Sequence, residues 1–191
     1  GDPASVDYSQ TANIFPSTIF IKLKNGNSLT EMAGGNMSQM IGDILYIKNQ
    51  NIAYYIKDAT ETYTIKPANK TDTANQVHIG MAKTKDTASI DGYSCTKYII
   101  TCTENTDTKI SYVWLTQNLQ SMNAYSFESL GSSAGSLHND AFKNLPGVPL
   151  RIESYEKGFK MTMEVTEITK QGLQDSNFTI PITYKEATFG Y

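Results

Sequence analysis

The chain has 191 residues, of which 39% are hydrophobic and 18% charged, with a net charge of −3. That length suits one domain that buries roughly 70% of its unfolded surface and needs no disulfide or metal to do so. Lys, Asp and Glu are interspersed, so no basic stripe tracks phosphates, and no apolar run reaches the ~20 residues of a membrane helix; neither nucleic-acid binding nor a transmembrane segment is expected.

Residues 1–13 are polar and irregular and read as a flexible segment ahead of a single β domain spanning 14–191. Gly1 reads as a residue left by tag removal, with an export signal expected upstream of it. Ile14 to Lys24 carries Phe15, Ile19, Ile21 and Leu23 in alternation, and Asn25-Gly26 is a strong hairpin signal. The return strand runs to Ala33, and Gly34-Gly35 ends it. Ile44 to Lys48 is a strand, Asn49-Gln50-Asn51 a turn, and Ile52, Tyr54 and Ile56 one face of the next strand. Asp58 to Thr60 turns the chain before Tyr63 and Ile65, and Pro67 closes that strand. After a polar loop, Val77, Ile79 and Met81 alternate, and Asp91-Gly92 is another turn.

Tyr93 to Cys102 is a long strand with Tyr98, Ile100 and Cys102 on one face. A polar loop from Glu104 to Thr108 leads to its partner, where Ile110, Tyr112 and Trp114 alternate. From Gln117 to Lys143 the apolar spacing changes to three and four, which predicts one or two short helices broken by Gly131 to Gly135. Pro146-Gly147-Val148-Pro149 resets the chain. Leu150, Ile152 and Ser154 begin a strand, Glu156-Lys157-Gly158 turns it, and Phe159, Met161, Met163 and Val165 line one face of its partner. Phe178 to Pro181 reads as a short extended tail. About ten strands joined by tight turns define a mostly β (α+β) protein: a large curved antiparallel sheet or half-barrel, with one or two short helices covering its concave face.

The sequence is poor in chemistry. His78 falls on the polar side of a strand and His138 in a polar stretch, and neither has metal-ligand spacing with Cys or another His. No Gly-x-Ser-x-Gly elbow, phosphate loop or dinucleotide fingerprint is present. Carboxylates such as Asp58, Glu61, Asp86 and Asp91 fall at turns. Cys95 and Cys102 lie seven apart in one strand, so they sit roughly 23 Å apart and on opposite faces, too far for a disulfide. No catalytic residue, metal or cofactor is expected, and the chain is not read as an enzyme. Methionines are adaptable apolar side chains. They either fill an ordinary core or, with the strand faces carrying Ile, Tyr and Trp, line an apolar cavity. The candidate lining is Tyr98, Ile100, Tyr112, Trp114, Met161 and Met163.

Several segments together resemble a known family. They are Gly92-Tyr93-Ser94-Cys95-Thr96-Lys97-Tyr98, Val113-Trp114-Leu115-Thr116, Gly147-Val148-Pro149-Leu150, Val165-Thr166-Glu167-Ile168 and Asp175-Ser176-Asn177-Phe178 with Ile180-Pro181 and Tyr184. In order and spacing they resemble an uncharacterised secreted bacterial domain of unknown function, the family numbered 4412, which is associated with the fold of the periplasmic lipoprotein carrier LolA. The resemblance implies a curved antiparallel sheet holding helices on its concave face. It also implies export to the periplasm or outer membrane of a Gram-negative bacterium. It carries over no catalytic residues. The Gly/Ser-rich helical insert departs from the helices that cover the lipid cavity in the carriers. Two functions follow as expectations: a periplasmic or outer-membrane-associated module binding a lipid, a lipoprotein or another apolar ligand, or a structural component of the envelope that contacts a protein partner.

Overall fold

In the computed structural model the described residues are 13–67, 77–119, 141–142, 144–156 and 159–188. They form eleven strands and one helix, so the mostly β, antiparallel class holds. The strands are divided between a six-stranded and a five-stranded sheet, and neither closes into a barrel among the described residues. The sheets belong to two compact units: residues up to Asn69 with those from Leu173 onward, and Lys70–Gly172. Most of segment 1–13, the polar loop after Pro67, the turn at Lys157-Gly158 and nearly all of the helical insert between Gln117 and Lys143 lie outside the described residues. Of that insert, Ala141 and Phe142 are helical and buried.

The first unit is a meander of β1 (Thr18–Lys24), β2 (Asn27–Ala33), β3 (Asp43–Ile47), β4 (Ile52–Lys57) and β5 (Thr62–Pro67). Lys24 pairs directly with Asn27, leaving Asn25-Gly26 as a two-residue loop. Both residues take positive φ, 53° and 84°, the conformation whose twist matches the flanking strands. The loop thereby sets Ile19, Ile21 and Leu23 opposite Met32, Thr30 and Ser28. The helix α1 (Gly35–Ile41) was not read from the sequence. Met37, Met40 and Ile41 have helical spacing, but seven residues are too few for the period to declare itself. Two of its first-turn donors are satisfied by the chain ahead of β1: Asn36 N–H donates to Asn13 O and Met37 N–H to Ile14 O, both at 2.9 Å.

One face of this sheet holds a core of Leu45 and Ile56, with Leu29, Ile47, Tyr54 and Tyr63 around it. It is completed by the far end of the chain. Leu173 leads into a 3-10 turn at Asp175–Phe178 that buries Phe178 against Leu45 and Ile56. β11 (Lys185–Glu186) then adds a parallel edge beside β5. The segment read as an extended tail is therefore a piece of the core.

The second unit holds β6 (Val77–Ile90), β7 (Tyr93–Glu104), β8 (Asp107–Thr116), β9 (Val148–Glu156) and β10 (Phe159–Glu164), in the order β10-β9-β8-β7-β6. Asp91-Gly92 is a two-residue turn between Ile90 and Tyr93, again with both φ positive. The Asp91 carboxylate accepts from Ile168 N–H at 2.7 Å, tying the chain after β10 back to this turn. Register shifts between Lys83 and Thr87, where Thr84 to Asp86 face Lys97 alone. The Thr84 hydroxyl absorbs the irregularity, donating to Lys97 O at 3.0 Å and accepting from Asp86 N–H at 3.1 Å. A second shift falls between β8 and β9: Trp114 pairs with Arg151 but Leu115 pairs with Pro149, so Leu150 is the extra residue. Proline has no N–H for a ladder, and a bulge is one place where a sheet tolerates it.

Gly147 brings the chain into β9, and a Cβ there would lie 2.5 Å from the Thr116 carbonyl oxygen. Gly147→Ala is therefore expected to cost about 1–3 kcal/mol through forced backbone displacement. Urea unfolding checks this; an unchanged midpoint would show that the strand entry can move freely.

Candidate functional site

In an antiparallel pair, directly opposed residues share a face, and neighbours in sequence alternate. Tyr98 pairs with Val113, and Ile100 with Ser111. Val113 pairs in turn with Ile152, and Ser111 with Ser154. On β10, Met163 opposes Ile152 and Met161 opposes Ser154. On the other side Met81 opposes Ile100. One apolar face thus carries Met81, Tyr98, Ile100, Val113, Ile152, Met161 and Met163. Ile100 and Val113 at its middle are fully buried, whereas Met81, Met161 and Met163 near its ends are half-buried. Ser111 and Ser154 lie in the same row, and their hydroxyls meet at 3.3 Å. A buried hydroxyl needs a partner, and the pair supplies one while leaving two short side chains in the middle of the face.

Four of the six candidate lining residues, Tyr98, Ile100, Met161 and Met163, are therefore brought together. Tyr112 and Trp114 are not. They oppose Ile99 and Lys97, which places them on the other face of the same sheet. That face is a ladder of rings and ions. Lys97 Nζ lies 4.5 Å from the centre of the Tyr112 ring and 5.3 Å from that of Trp114. The Arg151 guanidinium lies 5.2 Å from Trp114 on the same face. Tyr112 and Tyr155 meet edge to face at 5.7 Å. Each cation has a carboxylate: Asp86 for Lys97 at 3.5 Å, Glu164 for Arg151 at 2.5 Å, Glu153 for Lys160 at 3.0 Å. The Glu164 and Glu153 contacts hold the Arg151 and Lys160 pKa values above their usual range, chiefly through those hydrogen bonds. Trp114 is only 8% exposed, with the charged heads of Lys97 and Arg151 over its ring.

Cys95 and Cys102 both lie on β7, both are buried, and both thiols are free. Burial pushes the Cys95 thiol up, which keeps it protonated and unreactive. His78 is exposed on β6, and His138 lies outside the described residues. Among the described residues no group of three His, Cys, Asp or Glu side chains could hold a metal ion, and no helix is long and apolar enough to cross a membrane.

The first unit holds a carboxylate cluster that sequence reasoning missed. Asp43 opens β3 and is partly buried, and Asp58 and Glu31 act on it. Lys22 bonds Glu31 at 2.6 Å, and the Tyr184 hydroxyl donates to Asp58 at 2.9 Å. Desolvation, then the charges of Asp58 and Glu31, hold the Asp43 carboxyl above its usual range; a hydrogen bond from the Met32 backbone and the charge of Lys22 act the other way. These residues come from three strands, a turn and the chain just before β11, so no local spacing announces them.

Two antiparallel sheets, one with an apolar face interrupted by a serine pair and a charged aromatic face behind it, define a β module without an assembled catalytic constellation among the described residues. The chain belongs to the family described as Domain of unknown function (DUF4412), whose model matches residues 6–184 and so spans both units. No curated protein and no solved structure matches the chain.

A raised pKa means that folding favours the protonated Asp43. Its ionised form therefore costs stability at neutral pH, and the cost is relieved as pH falls through the raised pKa. Asp43→Asn, which keeps an acceptor for the Met32 N–H, is expected to raise Tm at pH 7 by on the order of 2 °C. The gain should vanish below the ordinary Asp range. Thermal unfolding across pH measures both, and equal Tm values at pH 7 would contradict the assignment.

Proposed function

We propose that this protein is a non-enzymatic binding module of the bacterial cell envelope, in the periplasm or associated with the outer membrane. Its ligand is a lipid or another apolar molecule, received on the face of Tyr98, Ile100, Met161 and Met163. The observation that carries the reading is the grading of that face: fully buried at Ile100 and Val113, with half-buried methionines towards both ends. Methionine accommodates irregular apolar shapes. The short Ser111–Ser154 pair lowers the relief between Ile100 and Met161 without leaving a hydroxyl unsatisfied. The resemblance of the sequence motifs to a secreted envelope family supports the location, and that family's association with a lipoprotein-carrier fold supports the ligand class.

Native mass spectrometry of protein purified without detergent tests the reading directly, as does titration with a fluorescent fatty acid. Met163→Glu places a charge on the apolar face and is expected to weaken uptake about tenfold or more. Trp114→Phe, on the opposite face, should leave uptake unchanged. The proposal fails if no lipid co-purifies and the unaltered chain takes up no probe, or if both variants behave alike.

The second reading, a structural or protein-interaction component of the envelope, has one observation in its favour. Phe20 on β1, the end strand of the first sheet, is 56% exposed, and no described strand lies beyond it. Such an edge can pair with a partner strand. Under this reading Phe20→Lys abolishes recovery of an envelope protein in a pull-down while lipid uptake stays as it was.

A further inference from the structure

We propose that the C-terminal strap, residues 173–187, is a displaceable self-ligand, and that the site it fills on the first sheet takes an extended peptide with an aromatic anchor. The site lies wholly in the first unit and is separate from the apolar face of β7 to β10.

The strap sits on the sheet in the manner of a bound peptide. A single side chain, Phe178, is buried, and it drops between Leu45 and Ile56. Leu173, Ile180 and Tyr184 pack around it only in part, and Ile182 is fully exposed. The main chain bonds the sheet's margin, with Lys185 N–H donating to Glu61 O at 3.0 Å and Ala187 N–H to Tyr63 O at 2.8 Å beside the short β5 ladder. A short parallel strand added at an edge, with one aromatic anchor, is a recurring mode of peptide recognition.

The polar ties lie at the strap's two ends. Lys24 Nζ bonds Asp175 at 2.8 Å and the Leu173 carbonyl at 2.5 Å. At the far end the Tyr184 hydroxyl donates to Asp58. These contacts give the site a readable preference: an acidic residue three positions before the aromatic anchor, for Lys24, and a hydroxyl-bearing ring six positions after it, for Asp58.

Five of the sheet's six strands pair without the strap. β1 to β5 are joined by continuous antiparallel ladders from Thr18 to Pro67. The strap returns after a stretch, 165–172, that has no helix or strand and is mostly exposed, so its departure breaks only the two-residue ladder of β11 with β5. Segments with few buried side chains and few backbone bonds open at lower free energy than the sheets they lie on. What departure uncovers is apolar: Leu29, Leu45, Ile47, Tyr54, Ile56 and Tyr63.

The test uses the full chain. The probe is a fluorescein-labelled peptide with the sequence of residues 173–187, followed by anisotropy. The unaltered chain should bind it weakly, because its own strap competes. A Phe178→Ala chain should bind it at least about tenfold more tightly, and the same peptide carrying Phe178→Ala should not bind. Hydrogen exchange on the unaltered chain supplies a measurement independent of any variant's folding. The amides of Lys185 and Ala187 should exchange at least about tenfold faster than those of β3 and β4. Exchange of the strap at the same rate as β3 and β4 would overturn the proposal, since the strap would then open only with the whole sheet. So would a folded Phe178→Ala chain that binds no peptide.

Discussion

The pairing of β7 with β8 decides what this protein presents to its surroundings. Glu104 opposes Asp107, so only Asn105 and Thr106 lie in the turn, with Asn105 in the left-handed region at φ 56°. From that turn outward the register is fixed. Tyr98 falls beside Val113, and Lys97 beside Trp114. Because side chains alternate with period two, a slip of one residue would carry every side chain of one strand to the other face. It would take Trp114 and Tyr112 into the apolar face, and it would strip Lys97 of both rings that cover it. A slip of β7 would instead carry Lys97 into the apolar face, where a charge is costly to bury, so the two faces hold each other in place.

The first sheet depends on a constraint of a different kind. Its hairpins close locally, at Asn25-Gly26, Asn51 and Glu61, each with a residue in the left-handed region. Its core does not close locally. Leu45 and Ile56 need Phe178, which lies more than a hundred residues further along the chain. The entropic cost of such a long closure grows only slowly with loop length. A single buried aromatic with a few polar ties at its flanks is therefore enough to hold the strap down, and little enough to let it go.

This division explains what could be read in advance. Turns at Asn25-Gly26, Asn49–Asn51, Asp58–Thr60 and Asp91-Gly92 were legible because each needs particular residues at particular φ values. The strand alternation, down to Met161 and Met163, was legible for the same local reason. Parity across a hairpin was not. Treating Glu104 to Thr108 as a loop leaves the register of β8 open by a residue, and Tyr112 and Trp114 then look like companions of Tyr98 and Ile100. Counting back from a two-residue turn at Asn105 would have placed them correctly, and their proximity to Lys97 would have followed. The helix at Gly35–Ile41, the role of Phe178 and the carboxylates around Asp43 all rest on contacts between distant segments, for which no periodic signal exists.

The same parity sharpens the functional question. Had the aromatic and methionine side chains shared one face, its chemistry would have been mixed, suited to a ligand with a polar head set among rings. The register leaves Tyr98 with the methionines and puts Tyr112 and Trp114 on the other face. Arg151, Lys97 and Lys160 stay with Trp114, Tyr112 and Tyr155, each cation balanced by its own carboxylate. The face of Ile100 and Met163 keeps the Ser111–Ser154 pair as a polar feature in its middle, and that pair is satisfied within itself. Under the proposed function, an acyl chain meets shape and hydrophobic area at the middle of this face, while Lys83, opposite Tyr98, and Lys109, opposite Cys102, bring charge only to its margins. The balanced face behind it offers a free ligand little net attraction, because every ion there already has a partner. Under the proposed function, discrimination between apolar ligands falls to the half-buried methionines, the side chains on that face best able to change shape without leaving a polar group unpaired.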